Sequence, residues 1–229
     1  LLAGYTPNHA ELDPADLNGA DTTIYGVVAA YPVVDLFAAH DFTTGHYGYD
    51  GRGVSELDWA LLKVADVLIP NRGMSLDQMI RGFIGGPPAQ HHADYTLASP
   101  MTHVGPHCPP TLLLQGEHDA GIDAGAVQCL ARQLKAENVP VAYVEYPYTD
   151  HGFDVLFTEL APPAMQAALY DTERFLALLA SYRDRLGPLV LHCFTGRSAE
   201  LDVADDVVDV DEPDLRACGH RRHAVGHEF

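Results

Sequence analysis

The apolar positions of this chain fall into two kinds of run. Residues 23–32 (TIYGVVAAYP), 110–116 (PTLLLQG) and 141–146 (VAYVEY) are short and apolar along nearly their whole length, as expected of strands buried on both faces of a parallel sheet. The first closes at Pro32 and Asp35, and the second lies between Pro109 and Gly116, so each is bounded by residues that end strands. Between the second and third runs the period changes. Val127, Leu130, Ala131 and Leu134 fall at i, i+3, i+4 and i+7, which predicts one apolar helical face, closed by residues 135–140. After the third run Pro163 opens a longer helical pattern, with Met165, Leu169, Thr172, Phe175, Leu176 and Leu179 at helical spacing. Strand, helix, strand, helix predicts a parallel sheet with right-handed crossovers and helices on its faces.

Residues 39–95 interrupt that alternation with Gly- and His-rich loops and two amphipathic stretches, one over 59–68 and one after Ser75. There Ser75 and Gln78 have the form of a capping box. An insertion between two sheet strands predicts a helical cap above the strand ends. The apolar period stops near residue 185. Beyond it Asp202, Asp205, Asp206, Asp209, Asp211, Glu212 and Asp214 form an acidic run, followed by a basic, His-rich end, so 186–229 reads as an appendage or a disordered, foreign tail.

Composition narrows the picture. A chain of 229 residues, 47% hydrophobic, buries one sizeable core and is short for two full domains. Its formal charge of -19 argues against nucleic acid or an anionic membrane surface as a main partner. Cys108, Cys129, Cys193 and Cys218 lie far apart, without a CxxC pair, so reduced thiols are expected. No run approaches the roughly 20 apolar residues that span a bilayer. The expectation is a soluble chain, cytoplasmic by default. Because its first residues already read as the continuing face of an element, the chain is expected to be a fragment or a processed form.

The chemistry sits at two strand ends. LLLQGEHDAGIDAG places Asp119 just beyond the second apolar run, and VEYPYTDHGFD places His151 in the loop after the third, beside Gly152. Groups just past the carboxyl ends of parallel strands gather at the cleft of an open α/β sheet. One helix separates the two strands, which predicts neighbours and a hydrogen bond from the imidazole to the carboxylate. The plainer readings are a turn or N-cap aspartate and a surface histidine. Of the two aspartates in the acid loop, Asp123 fits the N-cap better.

PPTLLLQGEHDAGIDAG resembles the acid loop of α/β-hydrolases of the hormone-sensitive-lipase and related esterase type, and DHGFD resembles their histidine loop. AAYPVVDL and IGGPPAQHHADYTLASPMTHV are similar to the family's strand ending and its return from cap to core. The resemblance covers residues 1 to 182. It implies a parallel sheet flanked by helices with a cap at about 39–95 inside a domain of residues 1–185, Asp119 as triad acid, His151 as general base, and no cofactor. It also implies a departure. The family's serine stands in a G-x-S-x-G elbow, and neither Ser55, Ser75, Ser99, Ser181 nor Ser198 has both glycines. LLAGYTPNH resembles the helix after that elbow, so the nucleophile and the HGGG-type loop are expected upstream of Leu1 in an N-terminally truncated hydrolase, leaving this chain by itself inactive.

Weaker signals remain. Trp59, Leu61, Leu62, Met74, Met79, Ile80 and Phe83 read as ordinary packing or as the lining of an acyl pocket. His91 and His92 sit in a polar loop and read as solvated. His192, Cys193, Cys218, His220, His223 and His227 have ligand chemistry without the spacing of a known zinc site, so no metal is expected. VLHCFTGRSAE is similar to a short metal-ligand strand of TatD-type nucleases, but nothing around it supplies the other ligands. The implied activity is hydrolysis of a small carboxylic ester. The alternatives are a peptidase or lactonase of the same fold, or a noncatalytic α/β binding domain whose acidic tail meets a basic partner.

Overall fold

A computed structural model describes residues 1–12, 20–45, 76–154 and 162–186. The sheet is parallel and three-stranded among these residues. β1 (Val27–Ala30), β2 (Thr111–Gly116) and β3 (Val141–Tyr146) lie side by side in chain order. Val27 pairs with Thr111, Thr111 with Val141, and Gly116 with Tyr146 at the carboxyl end of the β2–β3 ladder. β2 is the middle strand and is buried along its whole length. Leu113 faces one apolar cluster and Leu112 and Leu114 face another, the alternation that a strand covered on both sides requires.

Helix α5 (Ala124–Ala136) connects β2 to β3 and covers the Leu113 face with Val127, Leu130 and Leu134, all fully buried. Asp123 is its N-cap, accepting the Gly125 amide at 2.9 Å, as the sequence predicted. The short helix α1 (Leu2–Tyr5) reaches the same cluster through Tyr5, whose hydroxyl lies 3.1 Å from Thr111 Oγ1. Each fully buried leucine contributes about 2 kcal/mol from the apolar area it removes from water.

The other face is covered by the helix at Pro163–Leu186, numbered α6 below, and here the expected face shifts. Ala164, Ala167, Ala168 and Phe175 pack against Leu112 and Leu114, whereas Leu169 and Leu176 are 54% and 51% exposed. Small alanines let the helix lie close to the sheet, and that sets its rotation against the pull of the leucines. β1 is also shorter than its apolar run. It begins only at Val27, and Val28 is 38% exposed, while Ala29 and Ala30 pack on the two opposite clusters.

Between β1 and β2, α2 (Leu36–Thr43), α3 (Leu76–Ile84) and α4 (His92–Ala98) pack around Leu36, Ala39, Ile80 and Tyr95. Asp35 caps α2 through the Phe37 and Ala38 amides. α3 is the amphipathic stretch expected after Ser75. Ser75 itself, with its capping box, and the stretch at 59–68 lie outside the described residues. Cys108 is buried and free.

Candidate active site

Because Gly116 and Tyr146 are partners at the end of the ladder, the loops that follow them start side by side. Their backbones stay laced beyond the sheet. The Glu117 amide donates to Tyr146 O and the His118 amide to Thr149 O, each at 3.0 Å. Side chains add to this. Glu117 Oε2 accepts the Tyr148 amide at 2.9 Å, and Asp150 Oδ1 accepts both the Ala120 amide at 3.0 Å and the His151 amide at 2.6 Å. A Cβ on Gly116 would lie 2.5 Å from Thr149 O, so only glycine permits so close an approach. Gly121 plays the same part under the histidine, where a Cβ would lie 3.2 Å from His151 Cγ.

Asp119 and His151 meet across this junction. Both carboxylate oxygens of Asp119 stand 3.1 Å from His151 Nδ1. The Asp119 side chain is wholly buried, and its Oδ1 also accepts the Gly121 and Ile122 amides at 2.8 Å each. Gln115, fully buried at the end of β2, donates Nε2 to Asp119 Oδ2 at 2.9 Å while its own Oε1 has no partner among the described residues. The carboxylate is therefore held by neutral donors from several directions. A carboxylate only accepts, so the imidazole donates through Nδ1–H, which leaves the lone pair on Nε2 at the far side of the ring. The histidine side chain is 33% exposed.

Tyr31, not singled out by the sequence, completes the corner from β1. Its ring centroid is 4.3 Å from that of His151 at 60°, and its hydroxyl donates to Asp154 Oδ1 at 2.6 Å. Burial, and then the Asp154 carboxylate, push the Tyr31 phenol well above its ordinary pKa, so it stays a donor. Its φ of 37° is a conformation that costs a bulky residue on the order of 1–3 kcal/mol. A tyrosine before a proline carries no local sign of such a contact. Gln115 was equally hidden, inside what reads as plain strand.

The remaining candidates fall elsewhere. Ser99 is fully buried, donating to Tyr95 O and accepting the Leu36 amide, and Ser181 donates to Leu178 O on α6. Ser55, Ser75 and Ser198 lie outside the described residues. His91 bonds Asp94 at 3.1 Å, and His92 packs by its ring against Phe37. Met79, Ile80 and Phe83 line an open apolar cleft of about 270 Å³ with Leu2, Val33 and Leu36. Trp59, Leu61, Leu62, Met74 and the six His and Cys residues between 192 and 227 are outside the description. Among the described residues no His, Cys, Asp or Glu cluster has the form of a metal site, and no helix is long and apolar enough to cross a membrane.

No protein-family model matches the chain. It is 27% identical over 179 residues to the probable carboxylic ester hydrolase LipM of Mycobacterium tuberculosis, and 26% identical over 171 residues to esterase LipC of the same organism. These matches take in 75% and 74% of this chain but 35% and 36% of the relatives, so the chain spans about a third of their length. Among solved structures, Thermogutta terrifontis esterase 2 phosphonylated by sarin superposes with a TM-score of 0.50 at 17% identity, over 77% of this chain and 52% of that one. With a parallel sheet flanked by helices beneath the two loops, the chain has the α/β-hydrolase fold and is related in sequence to carboxylic ester hydrolases.

Proposed function

We propose that the protein hydrolyses small carboxylic esters by a Ser-His-Asp mechanism in which this chain supplies the acid Asp119 and the base His151. The observation that carries the reading is the imidazole held at Nδ1 by a buried carboxylate, at the ends of neighbouring parallel strands, with Nε2 directed away from that anchor. In that arrangement His151 Nε2 takes the hydroxyl proton of a serine as it attacks the ester carbonyl. The alcohol leaves with that proton, and His151 then deprotonates the water that releases the acid. Asp119 keeps the imidazole in the productive tautomer and stabilises the imidazolium formed at each step.

The serine is proposed to stand in an elbow that precedes Leu1 in the whole protein, together with the amides that stabilise the oxyanion. This rests on the absence of a G-x-S-x-G motif from the chain. The apolar cleft lined by Met79, Ile80 and Phe83 has room for a short acyl chain. The relatives named as ester hydrolases support the same substrate class.

The test is hydrolysis of p-nitrophenyl acetate and butyrate by the whole protein, by its His151→Ala and Asp119→Ala variants, and by the present chain. Turnover in the whole protein that disappears with His151→Ala, falls steeply with Asp119→Ala and is missing from the present chain is the expected result. Turnover that survives the loss of His151 would remove this histidine from the mechanism.

A further inference from the structure

We propose that Tyr31 is a positioning residue for His151, bracing the imidazole ring and tying the end of the histidine loop to β1. The inference rests on the ester-hydrolase reading of the same corner. A bond from Nδ1 to the Asp119 carboxylate fixes one atom of the ring, and rotation about that anchor still moves Nε2. A second contact against the ring removes that freedom, and Tyr31 is placed to provide it, its ring tilted at 60° with 4.3 Å between centroids. The tyrosine ring is itself held edge-on by Phe153, 5.5 Å away, which in turn packs 5.2 Å from Tyr146 at the end of β3.

The hydroxyl does a separate job. Its bond to Asp154 Oδ1 at 2.6 Å joins the end of β1 to the chain just after His151, while Asp150 joins the chain just before it to the acid loop. The histidine loop is thus fastened on both sides of the residue it carries. The Tyr31 backbone has no slack, because its amide donates to Leu114 O at 2.7 Å in line with the β1–β2 ladder. Its φ of 37° points the same way. Asparagine or glycine would adopt that backbone more easily, so the strain is carried by a residue whose side chain has a use there.

The experiment separates side chain from backbone in the whole protein. Tyr31→Phe keeps the ring and loses the tie, Tyr31→Asn accepts the backbone and loses both, and Asp154→Asn weakens the tie from the other end. We expect kcat for p-nitrophenyl butyrate to fall about 100-fold in Tyr31→Asn, at a KM within about twofold of the parent, as for a misplaced catalytic group. Tyr31→Phe and Asp154→Asn should each lose several-fold, with no further loss when combined. The ¹⁵N signals of the His151 ring should shift in Tyr31→Asn from a single Nδ1–H tautomer toward a mixture.

A folded Tyr31→Asn protein with kcat within twofold and the parent ring signals would overturn the proposal. If that variant does not fold, additive losses in Tyr31→Phe and Asp154→Asn, or none, would overturn it instead. A parent protein without esterase activity would remove the ester-hydrolase reading alone, since the ring nitrogens report the bracing of His151 without turnover.

Discussion

Among the histidine–aspartate pairs of the described residues, His151–Asp119 and His40–Asp77 each join separate elements, whereas His91–Asp94 lies within one helical turn, and the first two are anchored differently. His151 and Asp119 meet across loops at the ends of β2 and β3, with Nδ1 at 3.1 Å from each carboxylate oxygen. His40 and Asp77 meet across α2 and α3 at 2.5 Å. In both the aspartate is buried and the histidine partly exposed. The difference is in the other partners of the carboxylate. Among the described residues Asp119 is held by backbone amides and the Gln115 amide, all neutral, so there His151 is the one cationic partner that a proton transfer would create. Asp77 already carries the Arg81 guanidinium, at 2.9 Å and 3.2 Å, within its own helix. That carboxylate is committed to a permanent charge, and the pair with His40 fastens one helix to another. The residue types alone do not make the dyad proposed above. Neutral anchoring and a place at the strand ends distinguish the first pair from the second.

The sharpest way to break the comparison is to make the same change in both pairs. Asp119→Asn should lower kcat of the whole protein by on the order of 10⁴-fold, since an amide holds the imidazole in the wrong tautomer. Asp77→Asn should leave kcat within about threefold, because no charge develops on His40 during turnover. Equal losses in steady-state kinetics would erase the distinction between the pairs.

Next in size is the junction itself. Gly116→Ala places a methyl against Thr149 O and should cost about 3 kcal/mol in denaturant unfolding, with lowered activity as the two loops part. A variant as stable as the parent would mean that the loops tolerate separation and that their lacing does not set the site.

Asp77→Asn returns as a stability probe. Loss of the ion pair with Arg81 and of the charge-assisted bond to His40 should cost about 1–3 kcal/mol, read as a lower Tm of the whole domain. No change in Tm would show that α3 is held by its apolar face alone.

The smallest effect is the most diagnostic of neutral anchoring. Gln115→Leu removes the donor to Asp119 Oδ2 and also the orphaned Oε1, so unfolding free energy should change by less than about 1 kcal/mol while kcat falls roughly 10-fold. A kcat equal to the parent's would show that the backbone amides of Gly121 and Ile122 suffice to hold the acid.

Local patterns made much of this legible. β2 and α5 are where their apolar periods place them, because a run that is apolar throughout and a run with period 3.6 have few ways to be buried. Asp123 as N-cap follows from its position before the helical run. Asp119 and His151 were recognisable as a pair because each follows a strand that its own neighbours identify. The misjudged elements depended on partners. On α6 alanines take part of the face against Leu112 and Leu114; of the periodic residues Phe175 packs there and Leu179 lies beside Gly26, whereas Leu169 and Leu176 are exposed. β1 was drawn too long because a sequence run does not report whether a neighbour covers it.

The sequence by itself determined the alternation β1, β2, α5, β3 and α6, the loops that carry Asp119 and His151, and the want of a serine elbow within the chain, but not α2 or α4. Those properties are written in residues within a few positions of one another. Only the tertiary structure decided that the Tyr31 ring packs against that of His151, that Gln115 spends its amide on Asp119, that Asp150 clamps the two loops, and that His40 and Asp77 form another pair. Several of these contacts join residues far apart in the chain, and all of them turn on side-chain direction, which a linear pattern of apolar and polar positions does not encode.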